Sequence, residues 1–212
     1  ETIPKTMARV LEKPLLEWMV ESIYPHANKI IIVVGVFKEK IIEHFQNSKY
    51  NDKIEFVVQE KQLGTAHAPL AAESKVTTPY FAVLAADSFW SPDFYKLFNE
   101  AVGRKIPFLT GVRVEDGERL GVIETNGKQL VKIVEKPAKA KNCLVNTSAY
   151  FVPKSFFQNL KNVKPSKRGE LEVTDSLTEF AASNAMEVLE FSGFWTDVGY
   201  FWHLLEANQY AL

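Results

Sequence analysis

Cysteine is all but missing from this 212-residue chain, with Cys143 the single one. That excludes a disulfide framework and any zinc cluster built on cysteines, and it fits a reducing cytoplasm. Long apolar runs are missing too. Stretches such as Ile30 to Val34 are far too short to span a bilayer, and no signal-peptide pattern opens the chain. Neither sign of charge is in excess: 25 basic side chains face 26 acidic ones, for a net charge of −1. A general attraction to nucleic acid or to anionic membrane is therefore not expected, while a local basic patch stays open. Histidine is scarce, and no second His or Cys stands at ligand spacing from His67. There is no Asp-x-Asp, no internal repeat and no low-complexity linker.

What is present is a chain that is 46% hydrophobic, enough for one large core. Pro14 to Ile23 reads as an amphipathic helix, with Leu15, Leu16, Met19, Val20 and Ile23 on one side and Pro14 in its first turn. Buried strands are expected at Lys29 to Gly35, Ile54 to Val58, Tyr80 to Ala85 and Phe108 to Val114. Helices are expected at Lys38 to Phe45, from Gly64-Thr65 to Ser74, and at Pro92 to Ala101. Strands alternating with helices imply an α/β fold with parallel strands and right-handed crossovers. The pattern then changes. Gly121 to Thr125 and Leu130 to Val134 flank Asn126-Gly127, a hairpin signal. A strand at Asn146 to Val152, a helix at Leu171 to Ala182, a strand at Met186 to Phe191 and a helix at Val198 to Tyr210 complete the reading. The second half reads as an elaboration of the same sheet, within a single domain over 1–212.

Chemistry concentrates at strand ends, where open α/β sheets bind ligands. Gln59 to Ala68 follows an apolar strand and closes on Gly64-Thr65 at a helix start, a loop suited to a small polar ligand. The Gln59 amide offers donors and an acceptor to a base edge, and Gly64 permits close backbone approach; the plainer readings are a polar strand-end residue and a turn glycine. Asp87 ends the next strand and Asp197 precedes the last helix. Two carboxylates without His or Cys suit a hard cation such as Mg²⁺, which keeps substrate phosphates in its shell; the plainer readings are a turn residue and a helix N-cap. In Glu135-Lys136-Pro137, Lys136 suits a phosphate and Glu135 suits sugar hydroxyls, against a solvated charge pair. Lys5, beside Pro4, carries the same ambiguity. His67 reads as packed or solvent-facing, and Trp195 and Trp202 as core or pocket wall.

In their order along the chain, these segments resemble the sugar-1-phosphate nucleotidylyltransferases, on the branch of glucose-1-phosphate thymidylyl- or uridylyltransferases and N-acetylglucosamine-1-phosphate uridylyltransferases. The matching residues are Pro4-Lys5, Lys13-Pro14-Leu15, Gln59 with Leu63-Gly64-Thr65-Ala66, the strand ending at Asp87, and Gly121-Val122-Ile123. They continue through Glu135-Lys136-Pro137, Asn146-Thr147, the run from Arg168 to Asp175, and Trp195-Thr196-Asp197-Val198-Gly199.

The resemblance implies a Rossmann-like three-layer α/β/α fold with a mostly parallel mixed sheet, of the nucleotide-diphospho-sugar transferase type. It implies transfer of a nucleotidyl group from UTP or dTTP to a sugar-1-phosphate, with Mg²⁺ held by Asp87 and Asp197. It makes Lys5 a phosphate contact, Lys136 the lysine on the sugar phosphate, Gln59, Gly64 and Thr65 nucleotide-binding, and Gly121, Glu135 and Asn146 sugar-contacting. Homo-oligomers are compatible with it.

The chain departs from the family's pattern in three ways. The family opens with a strand and a glycine-rich loop carrying an arginine, and Glu1 to Lys5 reads instead like the middle of a loop, so an upstream segment is expected to be absent from this chain. Ala86 stands before Asp87 where the family has Gly, and Ser148 stands where Gly is common. The first departure favours a rival reading as a non-catalytic nucleotide-sugar sensor; a glycosyltransferase is disfavoured by the absence of Asp-x-Asp.

Overall fold

A computed structural model describes residues 3–212; Glu1 and Thr2, where the expected loop begins, lie outside the described residues. The chain forms two compact units. One comprises the described residues up to Lys61 with Ala85–Glu100 and Gly193–Leu212, the other Gln62–Leu84 with Ala101–Ser192.

The first unit opens with a 3-10 turn at Lys5–Met7. Strands β1 (Arg9–Val10) and β2 (Lys13–Pro14) pair antiparallel. Helix α1 (Leu15–Ile23) buries Leu15, Leu16, Met19 and Val20, as the apolar spacing requires. Strand β3 (Ile30–Val34) is wholly β-branched and runs parallel to β4 (Ile54–Val58), with helix α2 (Lys38–Gln46) between them in sequence. Leu16, Val20, Ile30, Ile32, Val34, Ile41, Phe45 and Tyr50 form one core.

A second core in this unit gathers Val10, Leu15, Phe89, Val198 and Ala207. It is built around β6 (Ser88–Trp90), which pairs antiparallel with β12 (Trp195–Asp197), and α7 (Phe201–Ala211). The β6–β12 pair was not expected. It also corrects two expectations. The last helix starts at Phe201, after Tyr200, rather than at Val198, because the Val198 N–H donates to the Asp87 carbonyl at 2.9 Å instead of turning into a helix. Asp197 ends a strand and caps no helix.

The second unit is a six-stranded mixed sheet in the order β5-β10-β7-β11-β9-β8. Its strands are β5 (Tyr80–Leu84), β7 (Phe108–Asp116), β8 (Gly121–Asn126), β9 (Gln129–Glu135), β10 (Lys141–Pro153) and β11 (Glu187–Phe191). Strand β10 is antiparallel to β5 and β7, β7 is parallel to β11, and β9 is antiparallel to β11 and β8. Four of the six strands, β5, β7, β11 and β8, therefore share one direction, and β9 and β10 oppose it. The hairpin turns at Gly127, in the left-handed region at φ +59. Among the described residues β3 and β4 form a two-stranded sheet of their own, where the sequence suggested one continuous sheet.

Helix α3 (His67–Ala71) is shorter than expected and passes into a 3-10 turn at Glu73–Lys75. Helix α5 (Phe157–Asn162) was not expected. Helix α6 (Val173–Ser183) lies against β9, where the Ile133 N–H donates to Thr178 Oγ1 at 3.0 Å. Helix α4 (Pro92–Gly103) links the units in sequence. Its first part buries Phe94, Tyr95 and Phe98, with Trp90 stacked on Phe94 at 5.0 Å.

Candidate functional site

In the first unit, three of the residues singled out from the sequence meet. Asp87 sits in the turn leading into β6, and Asp197 is the last residue of β12, opposite Ser88 in the register. The Val198 N–H bond to the Asp87 carbonyl fixes the two turns side by side. Lys5 projects from the 3-10 turn. Its Nζ lies 2.6 Å from Asp87 Oδ2 and 3.8 Å from Asp197 Oδ1. Two carboxylates from strands 110 positions apart thus converge on one cation.

That donor set fits a hard divalent ion. Both groups are carboxylate oxygens, and among the described residues no cluster of three or more His, Cys, Asp or Glu forms a metal cage. Mg²⁺ uses one or two carboxylates and takes its remaining ligands from water and substrate phosphates. Gln59, also in this unit, follows β4, and its N–H donates to the Val34 carbonyl at 2.7 Å, which holds it at the carboxyl end of the β3–β4 pair.

In the second unit the β8–β9 hairpin sets Gly121 opposite Glu135. Glu135 Oε2 accepts from Thr174 Oγ1 at 3.4 Å. Burial pushes the Glu135 carboxyl above its ordinary range and the nearby Glu172 carboxylate pushes the same way, while Lys136 and Arg168 oppose them. Lys136 is exposed and held in the left-handed region at φ +45, its N–H donating to the Leu120 carbonyl at 3.0 Å. A lysine in that conformation is strained, a feature that recurs at functional sites.

Asn146 is 6% exposed and lies where β10 slips register against β7. Its Oδ1 accepts from the Ser148 N–H at 3.0 Å, and Ser148 has φ +58, which is why glycine suits that position. Beneath it, buried Thr147 and Thr110 share a hydroxyl hydrogen bond.

Gly64 and Thr65 have structural partners in the same unit. At φ +124, a Cβ added to Gly64 would sit 2.6 Å from the backbone N and O of Leu171. The Ala66 N–H donates to the Leu171 carbonyl, and the Leu171 N–H to the Leu63 carbonyl, each at 2.8 Å. Thr65 Oγ1 accepts from the N–H of Val173, the first residue of α6, at 2.9 Å. These ties shorten α3, because Gly64 to Ala66 are engaged with residues 171–173 instead of starting a helix.

The sequence assigned no roles to Arg168, Glu172 and Thr174, yet they stand around Glu135. The run from Arg168 to Asp175 matched the family's pattern as a segment, but nothing in it set these three side chains apart. Trp202, expected in a core or pocket wall, is 44% exposed and stacks on Tyr200 at 4.4 Å. His67 is the first residue of α3.

A family model described as nucleotidyl transferase matches residues 1–212. The chain is 38% identical over 221 residues to a bifunctional protein GlmU of Methanococcus vannielii, covering 100% of this chain and 51% of that protein. It is 30% identical over 213 residues to a bifunctional sugar-1-phosphate nucleotidylyltransferase/acetyltransferase of Sulfurisphaera tokodaii, covering 100% of this chain and 51% of that one. The chain thus spans about half the length of these curated relatives. A solved structure of a UDP-glucose pyrophosphorylase complexed with UDP-glucose superposes with a TM-score of 0.87 at 25% identity, covering 99% of this chain and 90% of that one. The α/β fold with a mixed sheet is common to both.

Proposed function

Since this chain belongs to the nucleotidyl transferase family, we propose that it transfers a nucleotidyl group from UTP or dTTP to a sugar-1-phosphate, releasing pyrophosphate. The observation that carries this reading is the convergence of Asp87 and Asp197 on the Lys5 ammonium. The sugars that the resemblance favours are glucose-1-phosphate and N-acetylglucosamine-1-phosphate. The 212 residues are read as one nucleotidylyltransferase domain, in support of which the family match runs unbroken from residue 1 to residue 212.

In the reaction an oxygen of the sugar phosphate attacks the α-phosphorus in line. The new P–O bond forms as the bond from the α-phosphorus to the bridging oxygen breaks, and that electron pair leaves with pyrophosphate. The nucleophile is already anionic at neutral pH, so no general base is required. The protein's work is positioning and charge stabilisation. Lys136 holds the sugar phosphate as a point charge, and Glu135 accepts hydrogen bonds from sugar hydroxyls. Asn146 offers its amide nitrogen, since its Oδ1 is engaged by Ser148. Gln59 presents its amide to the base edge. Lys5 contacts the nucleotide phosphates. Asp87 and Asp197 would hold Mg²⁺, which when bound supplies charge neutralisation at the phosphates.

The test is pyrophosphate release by the full-length protein in Mg²⁺, with UTP, dTTP, GTP and ATP against both sugar phosphates. Asp87→Asn and Asp197→Asn are each expected to lower kcat roughly 10²- to 10³-fold, the size of a lost electrostatic group. Gln59→Ala should alter the ranking of the nucleotides more than the rate with the best one. Near-normal turnover in both Asp variants would remove the carboxylate pair from the mechanism. No release with any substrate pair, from a folded protein that binds nucleotide-sugar, would leave the sensor reading standing.

A further inference from the structure

Glu172 is 3% exposed, at the N-cap position of α6, although its side chain makes no capping bond there. A buried carboxylate needs charged or hydrogen-bonding partners. Glu172 Oε1 accepts from Ser166 Oγ at 3.2 Å and from Arg168 Nη1 at 3.2 Å. The Arg168 N–H in turn donates to Ser166 Oγ at 3.2 Å. The loop closes on itself through the Ser166 N–H to the Glu170 carbonyl and the Gly169 N–H to the Ser166 carbonyl, each at 2.8 Å, with Gly169 at φ +77. The segment 166–170 is thus folded around one buried carboxylate. From that anchorage Arg168 Nη1 lies 3.8 Å from Glu135 Oε1, and Nη2 lies 3.1 Å from Glu170 Oε1.

We propose that Glu172 is a positioning residue which, by stapling the loop 166–170, aims the Arg168 guanidinium at the Glu135 carboxylate. The role assigned to Glu135 as a sugar contact rests on the transferase reading above; the staple itself rests on the geometry alone. Glu172 carries the same charge as Glu135, so as a bare neighbour it disfavours the ionised form of Glu135. As the anchor of Arg168 it does the reverse, because a guanidinium at that place favours the carboxylate. The charged groups facing Glu135 are Glu172, Lys136 and Arg168, with Thr174 donating a hydrogen bond.

Those two effects have opposite signs, which makes the proposal testable. The Glu135 carboxyl is titrated by ¹³C NMR in the full-length protein and in Glu172→Gln, Glu172→Asp and Arg168→Gln. The expected result is that Arg168→Gln raises the pH at which Glu135 titrates, and that Glu172→Asp, which keeps the charge and shortens the anchor, raises it slightly. Glu172→Gln, which removes the larger like-charge effect, should lower it by less in the wild-type background than in the Arg168→Gln background, because only in the former does it also loosen the guanidinium. An equal fall in the two backgrounds would mean that Glu172 acts as a like charge only and would overturn the proposal. If Glu172→Gln does not fold, Ser166→Ala, which removes one strut and keeps the carboxylate, should raise the titration in smaller measure; a fall or no change there overturns the proposal. In the kinetic arm, Glu172→Gln should raise KM for the sugar phosphate about tenfold while kcat changes less than threefold. Failure of the wild type to release pyrophosphate would sink the transferase reading and leave the titration to decide the staple.

Discussion

Gly121 faces Glu135 across the β8–β9 hairpin so closely that a Cβ on Gly121 would lie 3.2 Å from Glu135 Oε2 and 3.1 Å from Ile133 Cγ2. The missing side chain is therefore what leaves the Glu135 carboxylate its place. Gly121→Ala should cost about 1–3 kcal/mol through overpacking and should raise KM for the sugar phosphate by displacing the carboxylate. Urea midpoints and steady-state kinetics measure the two effects. A variant of unchanged stability and unchanged KM would show that the hairpin yields freely and that the close approach has no consequence.

The burial of Glu135 makes stability depend on pH in a definite direction. Its folded-state pKa lies above the ordinary 4.5, first through burial and then through Glu172. The folded protein therefore binds this proton more tightly than the unfolded chain does. The stabilisation is fully present below about pH 4.5 and is lost as pH rises through the folded value. Glu135→Gln removes this dependence, so the stability of the variant relative to wild type should grow between pH 4 and pH 7. Denaturant midpoints across that range provide the check, and a difference that shrinks toward neutrality would contradict the sign.

Much of this was readable in the sequence, and the reasons differ by element. Strand β3 is a short β-branched run and β4 a short, largely apolar one, α1 carries its apolar stripe at helical spacing, and Asn126-Gly127 marks the hairpin; all are local signals. The β6–β12 pair is not local. Each strand has three residues and its partner lies more than a hundred positions away, so no window of sequence contains the pairing. For the same reason Asp197 could be mistaken for a helix cap. Asp87 and Asp197 were paired from residue type and position at strand ends, whereas the ion pairing of Lys5 with both carboxylates was not anticipated, since Lys5 read only as a phosphate contact beside Pro4. Arg168, Glu172 and Thr174 lay in a run that matched the family's pattern but received no roles, because what distinguishes Glu172 is its burial, and charged residues in a loop sequence look solvated.

Ser148 gives a prediction about strain. An L-residue in the left-handed region costs roughly 1–2 kcal/mol, and glycine gives back roughly 0.5–1 kcal/mol through the entropy of the unfolded chain. Ser148→Gly should therefore stabilise the protein by about 0.5–1 kcal/mol, with the N–H bond to Asn146 Oδ1 retained. Thermal and urea unfolding measure it, and a destabilised variant would mean that the Ser148 hydroxyl contributes something the backbone argument omits.

At Gly64 the expectation is harsher. The Cβ of Gly64→Ala would meet the Leu171 backbone at 2.6 Å in a conformation that only glycine adopts readily, and roughly 3 kcal/mol or more should be lost. Thr65→Val keeps the shape and deletes the acceptor for the Val173 N–H, for which about 1 kcal/mol is expected. If equilibrium unfolding places both variants within a few tenths of a kcal/mol of wild type, the clamp between the two segments is not holding either of them.

The bond between Thr65 and Val173 joins residues 108 positions apart. During synthesis at roughly 5–20 residues per second, the loop around Gly64 leaves the ribosome on the order of 5–20 s before its partner exists. Throughout that interval the Leu63 carbonyl, the Thr65 hydroxyl and the Ala66 N–H lack their partners in residues 171–173, and the first turn of α6 completes its capping only when the older segment returns to it. The order of translation thus makes the loop around Gly64 a waiting segment, exposed to proteases and chaperones until the chain has passed residue 173.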